Sequence, residues 1–237
     1  MANELESILT EGFAALGLSL DGEALARFRR YYEILSEKNR VMNLTAIEGE
    51  ADSARLHFLD CAALLNFTDF TAKRVIDVGS GAGFPGLVLK IARPETDLTL
   101  LDSLDKRVKF LRETGADLGF EGLRCVHARA EEPPEGFRQG FDIVVSRAVA
   151  RLNVLCELCL PFAKTGGVFL AMKGPGAAEE LSEAKKAVRL LGGQIEHVEE
   201  YRIPGTDLQR IVIRIRKVSD TPARYPRRWA QIKKAPL

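Results

Sequence analysis

A chain of 237 residues, 46% hydrophobic and 28% charged with 20 Gly and 10 Pro, has globular composition, which excludes disordered, collagenous and disulfide-scaffold classes and suits one large core with an appendage. Its formal net charge of +1 hides an asymmetry: residues 1–60 carry eleven acids against six bases, and residues 208–237 carry nine bases against one acid, Asp220. The N-terminus is acidic where a secretory leader is basic, and no charge-free apolar run reaches the roughly 18 residues of a spanning helix, so a soluble, cytoplasmic, monomeric protein with no membrane partner is expected.

In chain order, the first segment reads as helices. After a candidate Asn3 cap, Leu5, Ile8, Leu9, Phe13 and Leu16 recur at helical spacing. Leu25, Phe28, Tyr32 and Leu35 do so again after Asp21-Gly22, and a third helical stretch covers about 53–65. Residues 1–66 are therefore expected to form a helical cap. From Lys73 the pattern changes to short apolar runs at 74–78, 97–102, 123–127, 141–145 and 167–172, separated by helical stretches. That alternation implies a parallel sheet covered on both faces. After a helix at 179–191, runs at 194–202 and 208–218 flank a Pro204-Gly205 turn and read as an antiparallel hairpin closing one sheet edge. The α/β domain thus spans 67–218, and 219–237, with Pro222, Pro226 and Pro236, reads as an extended basic tail.

Four cysteines include the pair Cys156 and Cys159, spaced as in a metal or redox site. No second pair or matching histidines complete four ligands, so no metal is expected and the thiols are read as buried. Arg214 and Arg216 read equally well as a polyanion contact and as the solvated face of an edge strand.

Asp77-Val78-Gly79-Ser80-Gly81-Ala82-Gly83-Phe84-Pro85-Gly86 follows the first strand directly and opens a helix. Glycines there let bare N–H groups approach a nucleotide-like ligand, and Asp102, ending the second strand, stands where a carboxylate receives ribose hydroxyls. A nicotinamide fingerprint would place Gly or Ala at Phe84. The acid-x-G-x-G-x-G order instead puts Asp77 where it repels a pyrophosphate and attracts the cationic amino-acid end of S-adenosylmethionine. Asp77, Gly79, Ser80, Gly81, Gly83 and Asp102 are the expected cofactor contacts. The fold is then a Rossmann-like class I S-adenosylmethionine-dependent methyltransferase with a mostly parallel sheet, an antiparallel edge strand and an N-terminal helical extension.

Acceptor chemistry narrows by elimination. Attack by cytosine C5 needs a Pro-Cys nucleophile loop, which is absent, and exocyclic-amine methylation commonly uses an Asn/Asp-Pro-Pro-aromatic loop where Ser146-Arg147-Ala148-Val149-Ala150 stands. A ring nitrogen such as guanine N7 needs neither nucleophile nor base, only alignment. Arg147, ending the fourth strand, is in reach of guanine O6 or a phosphate.

Asn43-Leu44-Thr45, His57-Phe58-Leu59-Asp60, the stretch 77–87, Leu101-Asp102-Ser103, Lys106-Arg107-Val108, Ala130-Glu131-Glu132, 141–148 and Tyr225-Pro226-Arg227-Arg228 carry a specific resemblance. By them the chain closely resembles the bacterial small-subunit rRNA guanine-N7 methyltransferase family, RsmG, formerly glucose-inhibited division protein B. The resemblance implies methylation of a guanine N7 in the decoding-region loop of 16S rRNA, with 16S rRNA or a small ribosomal subunit precursor as partner. It also implies cofactor contacts at Gly79, Phe84, Ala130, Glu131 and Arg147, with Asp102, Ser103 and Leu104 near the adenosine. Asp60 is followed by Cys61-Ala62 where the family usually has Ser-Leu, and Ala230 and Ile232 replace a tail Gly and Pro.

His57 and Asp60, three apart, are expected on one helix face to orient the base. Arg224, Tyr225, Arg227, Arg228, Trp229, Lys233 and Lys234 are expected to meet RNA, the aromatics by stacking. Two rivals are a small-molecule methyltransferase, which would survive deletion of 219–237, and an adenosine-sensing binding module, which would transfer no methyl group.

Overall fold

The computed structural model describes residues 4–147 and 149–237, so the Asn3 cap and Ala148 lie outside the described residues. Helix α1 (Glu4–Ala15) buries Leu5, Leu9 and Phe13. Helix α2 (Gly22–Met42) starts at Asp21, whose carboxylate accepts from Ala24 N–H at 2.7 Å, as an N-cap should. Its buried stripe runs through Phe28, Tyr31, Ile34 and Leu35. Tyr31 is thus the inward tyrosine, and the expected Tyr32 only packs at the margin. The third helical stretch is irregular: α3 (Glu50–Ser53), a π-helical turn (Ala54–Leu59), α4 (Asp60–Ala62) and a 3₁₀ turn (Ala63–Asn66) follow without a break. The widened turn carries His57 and Phe58, both buried, a place where such bulges often mark function.

Strands β1 (Arg74–Val78), β2 (Asp97–Asp102), β3 (Arg124–His127), β4 (Phe141–Arg147) and β5 (Ala163–Lys173) run parallel. Together with β6 (Gly193–Arg202) and β7 (Gln209–Lys217) they form one seven-stranded sheet in the order β3-β2-β1-β4-β5-β7-β6. The antiparallel hairpin does close one edge; β7, antiparallel to both β5 and β6, sits one place in, leaving β6 outermost. Arg214 and Arg216 are accordingly half-buried and donate across the hairpin to Glu196 of β6, each at 2.9 Å.

Helices α5 (Gly86–Ala92), α6 (Asp105–Asp117), α7 (Leu152–Cys159) and α8 (Ala177–Leu190) cover the sheet. Alternation along the strands feeds two cores. Val75, Leu98 and Ile143 join Leu5, Phe28 and Phe58 of the helical segment in one cluster, while Ile76, Val144 and Phe169 join α7 in the other. The cap is therefore welded to one sheet face by shared apolar burial. Chain order reverses beside β1, whose neighbours are β2 and β4, and this opens a crevice at the carboxyl ends of those strands.

The tail departs from the expected extended path. Thr221, Tyr225 and Ile232 are buried, and Trp229–Lys234 forms a short helix, α9. Arg138 ties it down by donating to the carbonyls of Tyr225 and Thr221, each at 2.6 Å. The buried Lys217 ammonium donates to Leu160 O, Leu191 O and Thr221 Oγ1. The chain then climbs α7 until Leu237 O accepts from Asn153 Nδ2 at 3.5 Å, near the crevice end of the sheet. Cys61, Cys156 and Cys159 are buried thiols and Cys125 is half-buried. No helix among the described residues is long and apolar enough to cross a membrane.

Candidate active site

The loop after β1 is folded by its own backbone. Gly79, Gly81 and Gly83 all have positive φ, at 76°, 59° and 105°, where side chains are strained. Gly79 and Ser80 N–H both donate to Leu101 O, and Gly83 N–H to Ser80 O at 2.7 Å. Asp102 staples this loop to the next: Oδ2 accepts from Gly81 N–H and Oδ1 from Leu104 N–H, both at 2.9 Å. Each carboxylate oxygen keeps a further lone pair for a ligand. A Cβ on Gly81 would meet nothing closer than Gly79 O at 3.9 Å, so this backbone is bare to the crevice.

Asp77 does not face the crevice, which corrects its expected role at the cofactor's cationic end. Its side chain is fully buried beneath the loop, with Oδ2 accepting from Gly86 N–H at 2.9 Å and Oδ1 unpartnered. A Cβ on Gly86 would stand 2.4 Å from Leu100 and 2.9 Å from this carboxylate. Burial pushes the Asp77 carboxyl up to about 7, against the pull of Gly86 N–H and the Arg147 charge. Gly83 also looks inward, since a Cβ there would strike Leu87 and the Tyr31 hydroxyl.

The cap supplies the facing wall. Tyr31 Oη donates to Ala82 O at 2.7 Å, holding the loop from above. Phe84 packs among Tyr31, Phe58 and His57; the imidazole stacks on it at 4.2 Å and 17°, and the Arg147 guanidinium lies 4.9 Å over the same ring. Arg147 donates through Nη1 to Leu56 O and Asp60 Oδ2, both at 3.1 Å, and its Nη2 lies 3.0 Å from His57 Nδ1. His57 Nε2 is 2.8 Å from Thr45 Oγ1. Burial, then the Arg147 charge, pushes the imidazole down to about 3, so His57 is neutral and no proton carrier at ordinary pH.

Asp60 is buried too, accepting from Tyr201 Oη at 2.7 Å with Arg210 Nε at 3.7 Å. The pair expected to orient a base is therefore turned onto Arg147: Asp60 fixes the guanidinium from behind, and only His57 reaches the cavity. That cavity, about 380 Å³, gathers His57, Gly79, Ser80, Gly81, Phe84, Asp102, Ser103 and Arg147 from the expected set. It adds Leu44, Thr45, Ala82, Arg107 and Val149. Thr45 had a signal without a role, in the Asn43-Leu44-Thr45 segment; Tyr31 had none, because the stripe read from sequence ran through its neighbour Tyr32. Leu104, Ala130 and Glu131 do not line the cavity: Leu104 is exposed, and Glu131 pairs with Arg129 at 3.5 Å.

The tail residues divide. Arg224, Arg228, Lys233 and Lys234 are exposed and Trp229 is 40% exposed. Tyr225 is buried, and Arg227 donates from Nε and Nη2 to the buried Glu157 at 2.9 and 2.6 Å. These two hold the tail to the domain, which corrects the expectation that they stack on or pair with RNA.

A family model described as rRNA small subunit methyltransferase G matches residues 24–209. The chain is 42% identical to a protein named Ribosomal RNA small subunit methyltransferase G from Clostridium tetani, over 97% of this chain and 98% of that one. It is 45% identical to the protein of the same name from Acetivibrio thermocellus, over 99% and 97%. Among solved structures it resembles a SAM dependent methyltransferase from Aquifex aeolicus, with a TM-score of 0.53 and 20% identity over 69% of this chain and 93% of that one, a likeness of fold.

Proposed function

The chain belongs to the rRNA small subunit methyltransferase G family, and from that premise we propose that it methylates N7 of a guanine in the decoding-region loop of 16S rRNA, with S-adenosylmethionine as methyl donor. The crevice fits that cofactor: the Gly81 backbone is bare, Asp102 keeps lone pairs suited to ribose hydroxyls, and Phe84 gives an apolar wall. The chemistry this cofactor supplies is a methyl carbon activated by sulfonium. Guanine N7 offers an in-plane lone pair and loses no proton, so the displacement needs no base and no covalent enzyme intermediate.

The observation that carries the reading is that, among the described residues, no imidazole or thiol stands free as a base at the crevice. His57 Nδ1 faces Arg147 and Nε2 faces Thr45, and the Cys61 thiol is buried, while Asp102 is held by two backbone N–H groups and turns its remaining lone pairs to the ribose. What remains is a partly apolar slot whose part is to align the two reactants, itself a large share of a barrier reduction. Arg147, clamped by Asp60, keeps one face over Phe84 and the cavity, positioned for the cofactor or the purine edge. The exposed Arg224, Arg228, Trp229, Lys233 and Lys234 contact RNA along the α7 side of the domain, on the path that leads up to the crevice end at Asn153.

The test is incubation with labelled S-adenosylmethionine and small ribosomal subunits from cells lacking this enzyme. The label is expected in 7-methylguanosine of the 16S digest. Label in another nucleoside, or none in RNA, overturns the reading.

A further inference from the structure

One hydroxyl at the crevice has its hydrogen left over. Arginine has no acceptor atom, so His57 Nδ1, 3.0 Å from Arg147 Nη2, must be the accepting nitrogen, and the imidazole proton sits on Nε2. Nε2–H therefore donates to Thr45 Oγ1 at 2.8 Å. Ile47 N–H donates to the same oxygen at 3.0 Å. Both lone pairs of that oxygen are now occupied, and the hydroxyl can act only as a donor. Among the described residues nothing accepts from it. The loop cannot turn away, because Asn39 holds the Thr45 backbone at both ends, Oδ1 accepting its N–H and Nδ2 donating to its carbonyl, each at 2.9 Å.

The hydroxyl stands where two cavities meet. Thr45 lines the crevice and also a groove of about 570 Å³ on the cap side, where Ser36, Asn39, exposed Arg40 and exposed Asn43 present polar groups. A ligand reaching Thr45 from that groove arrives on the side away from the glycine loop, as an RNA base would. Guanine shows adjacent acceptors at O6 and N7 along one edge, whereas adenine puts a donor at position 6.

We infer that Thr45 reads the 6-oxygen of the acceptor guanine, its hydroxyl donating to O6 while N7 stays bare for the methyl group; this rests on the guanine reading above. The neutral His57 and Arg147 act through Thr45, fixing which way its hydrogen points. An amino group at position 6 would meet a donor that has no second orientation, so the arrangement rejects adenine by an unpaired polar contact.

The test is a double-substitution cycle across the contact. Wild type, Thr45→Val and Thr45→Ser are assayed on small subunits carrying guanine, or 2-aminopurine, which keeps N7 and lacks O6, at the acceptor position. Each single removal, Thr45→Val or O6, is expected to lower kcat/KM by about 30-fold, both together should cost little more than one alone, and Thr45→Ser should restore activity to within about threefold. Affinity for S-adenosylhomocysteine, measured by calorimetry, should stay within about twofold in every variant. Losses that multiply overturn the inference. Weakened cofactor affinity without coupling to O6 also overturns it and assigns the hydroxyl to the cofactor. If Thr45→Val melts early, Thr45→Ala completes the same cycle. Wild type that methylates no guanine defeats the guanine reading itself, whereas active wild type with multiplying losses defeats only this inference.

Discussion

Two arginines in this molecule lie on buried carboxylates in nearly the same way and do different work. Arg147 at the end of β4 is 16% exposed and clamped by Asp60, which is 4% exposed; Arg227 in the tail is 23% exposed and clamped by Glu157, which is 0% exposed. Around Arg227 the remaining groups are structural: the Tyr225 ring lies at 6.0 Å and the Ala235 carbonyl accepts at 3.1 Å. Around Arg147 they are His57, Phe84 and an open cavity. The acids differ as well. Asp60 has Tyr201 and Arg210 in reserve, while among the described residues Glu157 has, besides the Arg227 side chain, only the Arg227 backbone N–H at 2.8 Å. An ion pair backed by other partners can turn a face to a ligand; one without them can only anchor.

The largest effect should therefore fall on the anchor. Arg227→Met strips the side-chain partner from a fully buried carboxylate, which costs about 3–5 kcal/mol, or about 10 °C of melting temperature at this chain length. Methyl transfer per folded molecule, measured well below the transition, should be nearly unchanged. Arg147→Met should invert that pattern. Asp60 keeps two partners, so the melting temperature should fall by only a few degrees, while kcat/KM drops about 100-fold, equivalent to about 3 kcal/mol. Equal stability losses in the two variants would erase the distinction.

Asp77 sharpens the contrast as a third buried acid that no arginine contacts. In the unfolded chain it ionises near 3.8, whereas the fold holds its proton up to about 7. Between those values the native state binds more protons than the unfolded one, so this group makes stability fall as pH rises from about 4 to 7 and level off above. Asp77→Asn cannot ionise. The melting temperature of the variant relative to wild type is expected to climb between pH 5 and pH 8, read by calorimetric scans in matched ionic strength. A constant difference would mean that the carboxylate is already charged in the fold.

Much of this was legible from sequence where a rule acts locally. Four of the five parallel strands, all but the edge strand β3, carry apolar residues on both faces, and the glycine loop announces itself between Val78 and Leu87. Asp102 follows from its place at the end of β2. What stayed hidden depends on direction and on partners far along the chain. Asp77 lies next to the loop in sequence, but strand pleating turns its carboxylate under the loop toward Gly86. Tyr31 and Tyr32 fit a helical stripe about equally well, and only packing chooses the one that reaches Ala82. His57 and Asp60 were visible as neighbours, yet their target, Arg147, is some ninety positions away. The tail misled because its single buried helical residue, Ile232, makes no period, and the groups that hold it, Arg138 and Glu157, belong to the sheet domain.

That last misreading leaves adjacent arginines as the finest test of the comparison. Arg227 and Arg228 are consecutive and chemically identical, but Arg227 is turned onto Glu157 and Arg228 is exposed. If exposure decides the role, Arg228→Gln should leave melting unchanged within about 0.5 kcal/mol, as surface substitutions do. It should remove one phosphate contact, reducing the slope of log affinity against log salt by about 0.7–0.9. The measurement is a salt titration of binding to 16S rRNA, with wild type alongside. An unchanged slope for Arg228, with an altered one for Arg227 in protein shown to be folded, would mean that the tail opens to bind, and that the clasp on Glu157 is a resting contact which RNA displaces.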